Sequence, residues 1–228
     1  MNVLKLEKIK KSFGKKEVLK GIDIELFSGE IIGFIGRNGQ GKSTTLKIIM
    51  GLIFPDSGKV TFFEDKYDNP YHKIGFVHES PSFWEEITAF EFLYSLGNID
   101  GSHDDGEIET LLEFAGLIEN KDVKIREFSR GMKQRLGIAQ ALLNDPELLI
   151  LDEPMTALDP LGKSQVKELM IKLKNKGKSI LFSSHQLNEI KNMTDKFILL
   201  NDGKISLSRN SSEITDLEEF FLKGVGYA

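Results

Sequence analysis

The chain has 228 residues, 40% of them hydrophobic and 29% charged, with a formal net charge of −5. That is the balance of an ordinary globular protein long enough to bury a sizeable core. The absence of cysteine excludes disulfides and thiolate metal sites, and the acidic surplus argues against a general nucleic-acid binder.

The N-terminal residues Met1, Asn2, Val3, Leu4, Lys5, Leu6 and Glu7 alternate charged with apolar side chains and hold no signal-peptide core. Strands are predicted over residues 3–9 and 19–27; in the second, Ile22, Ile24 and Leu26 alternate with Asp23 and Glu25. A short apolar strand over 30–35 runs into a glycine-rich loop, and residues 42–51 read as a helix. Residues 55–58 read as a turn, followed by strands over 59–63 and 73–77. From about Ile87 to Leu143 the character becomes helical. Phe90, Phe92, Leu93, Tyr94 and Leu96 suggest one helix. Ile108, Leu111, Leu112, Phe114 and Ala115 suggest a second, stopped by Gly116. Ser129 reads as the N-cap of a third. Residues 101–106 form a polar linker within this insert. After Pro146 the alternation of strand and helix returns: a strand over 147–152, a helix over 163–176, a strand over 179–183 and a short helix over 186–193. A hairpin follows, turning at Asn201, Asp202 and Gly203. Apolar strands joined by helices predict an α/β fold with a mostly parallel sheet buried on both faces. The longest apolar runs, Leu148–Leu151 and residues 197–200, fall far short of a membrane span, so the chain is expected to be cytosolic and to reach a membrane only through a partner.

Two motifs carry chemistry. Gly36, Arg37, Asn38, Gly39, Gln40, Gly41, Lys42, Ser43 and Thr44 fit the phosphate-loop pattern G-x-x-x-x-G-K-S between a strand and a helix. Its glycines let backbone N–H groups converge on phosphate oxygens at a helix start. Lys42 can reach the β- and γ-phosphates of ATP, and the Ser43 hydroxyl can ligate Mg²⁺. Arg37 and Gln40 fall at positions the pattern leaves free. Downstream, four apolar residues end in Asp152 and Glu153, the first suited to hold Mg²⁺ through water and the second to act as a general base.

Phe128, Ser129, Arg130, Gly131, Met132, Lys133, Gln134 and Arg135 resemble the signature motif of the ATP-binding cassette (ABC) ATPases, L-S-G-G-Q and its S-x-G-M-K-Q-R variants. The resemblance covers the chain from Leu4 to about Leu222. It implies a P-loop core (residues 1–86 and 144–212) with an N-terminal antiparallel β subdomain, an inserted helical subdomain (87–143) and a C-terminal helix (213–228). It also implies a head-to-tail dimer, a homodimer or a pair of such ATPases, in which Ser129 and Gly131 of one copy contact the ATP of the other. Phe13 matches the aromatic that stacks on adenine, Asp159 the loop that crosses the dimer interface, and His185 the histidine that contacts the γ-phosphate. His72, His78 and His103 match no catalytic position and read as surface or loop residues.

One departure stands out. Glu79 occupies the position where most members place glutamine. Ionised glutamate accepts hydrogen bonds and cannot donate them, so it could ligate Mg²⁺ or order water while coupling to the membrane partner differs. Glutamate there, with the S-x-G-M-K-Q-R variant, is similar to the ATPases of drug and peptide-antibiotic exporters, including the bacitracin-resistance and lantibiotic-immunity groups. The implied function is the ATPase subunit of an exporter working through an integral membrane permease, with no nucleic-acid partner. A soluble ABC ATPase of the iron–sulfur assembly type is the alternative; a P-loop kinase leaves Ser129 to Arg135 and His185 unexplained. The aromatic residues Phe83, Trp84, Phe90, Phe92 and Tyr94 read either as a docking patch for the permease or as the core of the helical insert. The tail, with Leu217, Phe220, Phe221 and Leu222 at helical spacing, is expected to pack back on the domain.

Overall fold

The computed structural model describes residues 1–99, 103–185, 190 and 192–226. Two sheets organise it. Strands β1 (Asn2–Phe13), β2 (Lys16–Phe27) and β4 (Ser57–Phe62) form an antiparallel sheet in the order β2-β1-β4. Strands β3 (Ile31–Ile35), β5 (Ile74–Val77), β6 (Leu148–Leu151), β7 (Ser179–Ser184), β8 (Lys196–Asn201) and β9 (Lys204–Asn210) form a second sheet in the order β5-β6-β7-β3-β8-β9. All its pairings are parallel except β8 with β9.

Every residue of β3, β6 and β7 is buried, which is why β3 and β6 read as apolar runs rather than as an alternation; β7 buries Ser179, Ser183 and Ser184 around its apolar centre. One face of the parallel sheet, with Ile32, Phe34, Ile150 and Leu181, packs with β1, β2 and helix α1 (Lys42–Ile49). The other, with Ile31, Ile35, Leu149 and Phe182, packs with α5 (Pro160–Asn175) and α6 (Leu217–Val225). Each large aliphatic side chain so buried contributes roughly 1.5–3 kcal/mol. A third cluster belongs to the helical insert, where α2 (Ala89–Gly97), α3 (Asp105–Phe114) and α4 (Arg130–Ala141) enclose Phe92, Leu93, Ile108, Leu112 and Leu136.

Boundaries moved for identifiable reasons. β1 and β2 run several residues past their predicted ends, because the hairpin between them pairs out to Phe13 and Lys16. The helix predicted from residue 163 starts at Pro160, with Asp159 accepting from Gly162 N at 2.8 Å and proline at the first helical position. The polar linker of residues 101–106 is shorter than its composition suggests. Asp104 and Glu107 form a capping box that starts α3 at Asp105. His103 is a loop residue as expected but is half-buried, its ring nitrogens 3.0 Å from Gly97 O and 2.7 Å from Leu143 O. The short helix predicted over 186–193 lies largely outside the described residues.

Of the aromatic residues in the insert, Phe92 is buried against Phe83 and Trp84, whereas Trp84 and Tyr94 are exposed. Core and surface thus divide the cluster between them. Among the described residues, no helix is long and apolar enough to cross a membrane.

Candidate functional site

The phosphate loop occupies residues 36–41, between the C-terminal end of the buried strand β3 and the first turn of α1. Two of its glycines are dictated by space. A Cβ on Gly36 would sit 2.6 Å from Leu200 O, and one on Gly41 would sit 2.7 Å from Leu19 Cδ2. Gly41 also has φ +112°, a backbone conformation that side-chain-bearing residues rarely adopt. The loop is therefore pressed against β2 and β8, and Asn38, Gly39 and Gly41 border a cleft of about 610 Å³.

That cleft gathers most of the residues the sequence nominated: Phe13, Asn38, Gly39, Gly41, Lys42, Ser43, Thr44, Glu79, Glu153 and His185. Phe13 stands half-exposed at one end, with Lys11 Nζ 5.5 Å from its ring centroid. Lys16, Val18 and Thr156 line the cleft as well and were not nominated. Lys16 and Val18 are indistinguishable in sequence from ordinary strand residues, and only the hairpin's position over the phosphate loop brings them in.

At the other end lies a compact acidic centre. Strand β6 delivers Asp152 and Glu153, which are 5% and 8% exposed. Ser183, on the neighbouring strand β7, donates to Asp152 Oδ1 at 2.6 Å and accepts from Glu153 N at 2.8 Å. Glu153 has φ +47°, so its backbone is held in an unusual conformation beside that bond. One carboxylate oxygen, Oε2, is 2.8 Å from His185 Nδ1 and accepts from Thr156 Oγ1 at 3.1 Å. An ionised carboxylate can only accept, so Nδ1 carries the proton in this contact. The other oxygen, Oε1, is buried and takes no hydrogen bond among the described residues. It forms an ion pair with Lys42 at 3.3 Å, while Lys42 Nζ donates to Gly36 O at 2.7 Å. Ser183 is the residue sequence reasoning missed here. Its signal was present in the polar run Ser183, Ser184 and His185, which ends a strand parallel to that of Asp152.

Gly36 and Asp152, next to the cleft-lining Lys42 and Glu153, do not line the cleft themselves, and three further nominated residues lie elsewhere. Ser129 caps α4 by accepting from Met132 N at 3.2 Å, Gly131 approaches Gly162, and Asp159 caps α5. They converge on one another where α4 meets α5, and none of them lines the nucleotide-sized cleft of its own chain. Glu79 is exposed and lines both that cleft and an adjacent one of about 350 Å³, which includes Arg130, Lys133 and Gln134.

This combination of phosphate loop, paired acids and capped signature helix has close counterparts. The family profile described as ABC transporter matches residues 19–156. The chain belongs to the ABC transporter ATPases. It is 37% identical over 217 residues to the bacitracin transport ATP-binding protein BcrA of Enterococcus faecalis, an alignment covering 93% of this chain and 70% of that protein. It is 36% identical to the lantibiotic transport ATP-binding protein SrtF of Streptococcus pyogenes, covering 96% of both. Its fold superimposes with a TM-score of 0.84 on the solved structure of an ATP-binding subunit of an ABC transporter, at 30% identity over 97% of this chain and 99% of that one. As an ABC ATPase, the chain is the ATP-binding subunit of a transporter complex with membrane components.

Proposed function

We propose that this subunit energises export of an antibiotic, peptide or lipid-like compound through a separate permease, hydrolysing Mg·ATP in the cleft above α1. One observation supports the chemistry most: a buried glutamate with one oxygen fixed by His185 and Thr156 and the other, without a hydrogen bond among the described residues, held only by the ion pair with Lys42 at 3.3 Å. An acceptor oriented in this way is suited to take a proton from an attacking water.

In this reading Phe13 stacks on adenine, and Asn38, Gly39, Gly41 and Thr44 cradle the phosphates with the amides of the loop. Lys42, which in the free protein leans on Gly36 O and Glu153, turns to the γ-phosphate. Glu153 then orients the water, and His185 holds Glu153 and contacts the γ-phosphate. Mg²⁺ fits the donor set, since Ser43, Asp152 and Glu79 offer hard oxygens and nucleotide phosphates supply the rest. The bound ion would neutralise charge on the phosphates. Ser129 and Gly131 of a second copy, with Asp159 at the interface, complete the site by presenting the N-terminus of α4 to the γ-phosphate. The helical insert, from about Ile87 to Asn120, docks the permease, and Glu79 links the docking region to the cleft.

The export assignment leans on the names of the bacitracin and lantibiotic relatives together with Glu79. Affinity capture from detergent-solubilised native membranes tests the whole reading. Tagged wild-type chain is expected to bring a polytopic membrane protein with it and to hydrolyse ATP; Lys42→Ala is expected to bring the same protein without hydrolysis. Recovery of the chain alone contradicts the transporter role, and undiminished turnover in Lys42→Ala contradicts the site.

A further inference from the structure

Gln40 stands at a position where the phosphate-loop pattern accepts any residue, yet in the fold it is tied down. Its Oε1 accepts a hydrogen bond from the backbone N–H of Asp202, in the turn between β8 and β9. That turn is itself fastened to β2. Gly203 O accepts from Lys20 N at 2.8 Å, and the Asp202 carboxylate pairs with Lys20 at 2.7 Å. Lys20 holds the Asp202 carboxyl below its usual range, first through the hydrogen bond and then through charge. Two residues earlier on β2, Val18 lines the nucleotide cleft next to Phe13.

We infer that Gln40 is a positioning residue for nucleotide binding: through the 201–203 turn it locks the phosphate loop to the strand that carries the base end of the cleft. The inference rests on the cleft being the ATP site. The physical argument concerns where ordering takes place. Residues 37–39 are the exposed part of the loop and Gln40 is half-buried, and α1 begins only after Gly41. Without a tether the loop would have to be ordered when ATP arrives, and that ordering is subtracted from affinity. With the Gln40 bond in place, the phosphate seat and the base seat are held at a fixed separation before binding. An interaction of this kind acts on ground state and transition state alike, so it affects KM and leaves kcat untouched. The Gln40 side chain itself touches none of the reacting atoms in this scheme.

Three forms of the full chain discriminate this from simple packing: wild type, Gln40→Ala and Gln40→Met. Methionine keeps the length and the apolar stem of glutamine and lacks the carbonyl acceptor. The readouts are the ATP dissociation constant, from titration with a fluorescent ATP analogue, and steady-state KM and kcat. Losing one neutral hydrogen bond predicts an increase in Kd and KM of about three- to ten-fold in both variants, with kcat unchanged. If Gln40→Met binds ATP like wild type, the side chain acts by packing and the inference is overturned. A fall in kcat at constant KM overturns it as well. Wild type that binds no ATP would instead overturn the reading of the cleft on which the inference rests, so the two failures are distinguishable.

Discussion

Ser183 illustrates how much of the site depends on a residue that does not touch the substrate. Its hydroxyl uses both of its roles at once, donating to Asp152 and accepting from the backbone of Glu153, and it is wholly buried. Truncation to alanine removes the bond that orients the acid proposed to hold Mg²⁺ and leaves a buried N–H unpaired. Outer partners of this type typically affect metal affinity or activity by 10- to 100-fold. Ser183→Ala is therefore expected to lose roughly that factor in kcat/KM and to need more Mg²⁺ for half-maximal activity, while Ser183→Thr retains the hydroxyl and most of the rate. Mg²⁺ titrations of ATPase activity check this, and an unchanged Mg²⁺ requirement in Ser183→Ala would contradict it. Legibility at this scale was uneven. Gly36, Gly41, Lys42, Asp152 and Glu153 were readable because each sits in a short motif whose spacing follows from the chemistry. Thr156, Lys16 and Val18 were not, because only the fold brings them to the cleft, and the polar strand end at Ser183 gains its meaning only from the neighbouring strand that leads to Asp152.

Elements were legible where periodicity or capping was strong. The buried strands β3 and β6 announced themselves as apolar runs, and Ser129 as a cap. Harder to foresee were ends fixed by long-range pairing, such as β1 reaching Phe13. Asp56 shows the cause. From the turn before β4 it accepts from Ser12 N at 2.6 Å and pairs with Lys11 at 2.9 Å, so it anchors the end of β1 that carries Phe13. The hydrogen bond from Lys11, then that from Ser12 N, depresses the Asp56 carboxyl below its usual range. A depressed carboxyl contributes stability that is complete above its unfolded-state value and is lost as pH falls through the folded-state value. Thermal midpoints should therefore separate wild type from Asp56→Asn at neutral pH, with wild type higher. The gap should shrink as pH falls below the unfolded-state value and close only below the folded-state value. A gap that widens in acid would contradict the anchoring role.

At the scale of the molecule, the parallel sheet and the helical insert followed from the order of motifs and the change in pattern at residue 87, and the antiparallel second sheet from the resemblance. The division of the site could be inferred only from the resemblance, since nothing local in Ser129 to Gly131 distinguishes a signature from an ordinary capped helix. The geometry agrees with a divided site to this extent: Ser129, Gly131 and Asp159 meet each other at the α4–α5 contact and stay out of the cleft that holds Lys42 and Glu153. A single chain thus presents the phosphate loop and the proposed base in a cleft that Ser129 and Gly131 of the same chain do not line.

The measurement that tests this most directly is sedimentation velocity of Glu153→Gln with and without Mg·ATP. Glutamine keeps the shape of the side chain and removes the proton acceptor. The account predicts a protein that binds ATP, scarcely turns it over, and shifts from monomer to dimer when Mg·ATP is added. A Glu153→Gln protein that hydrolyses ATP at the wild-type rate, or that binds ATP and remains monomeric at all concentrations, would contradict it.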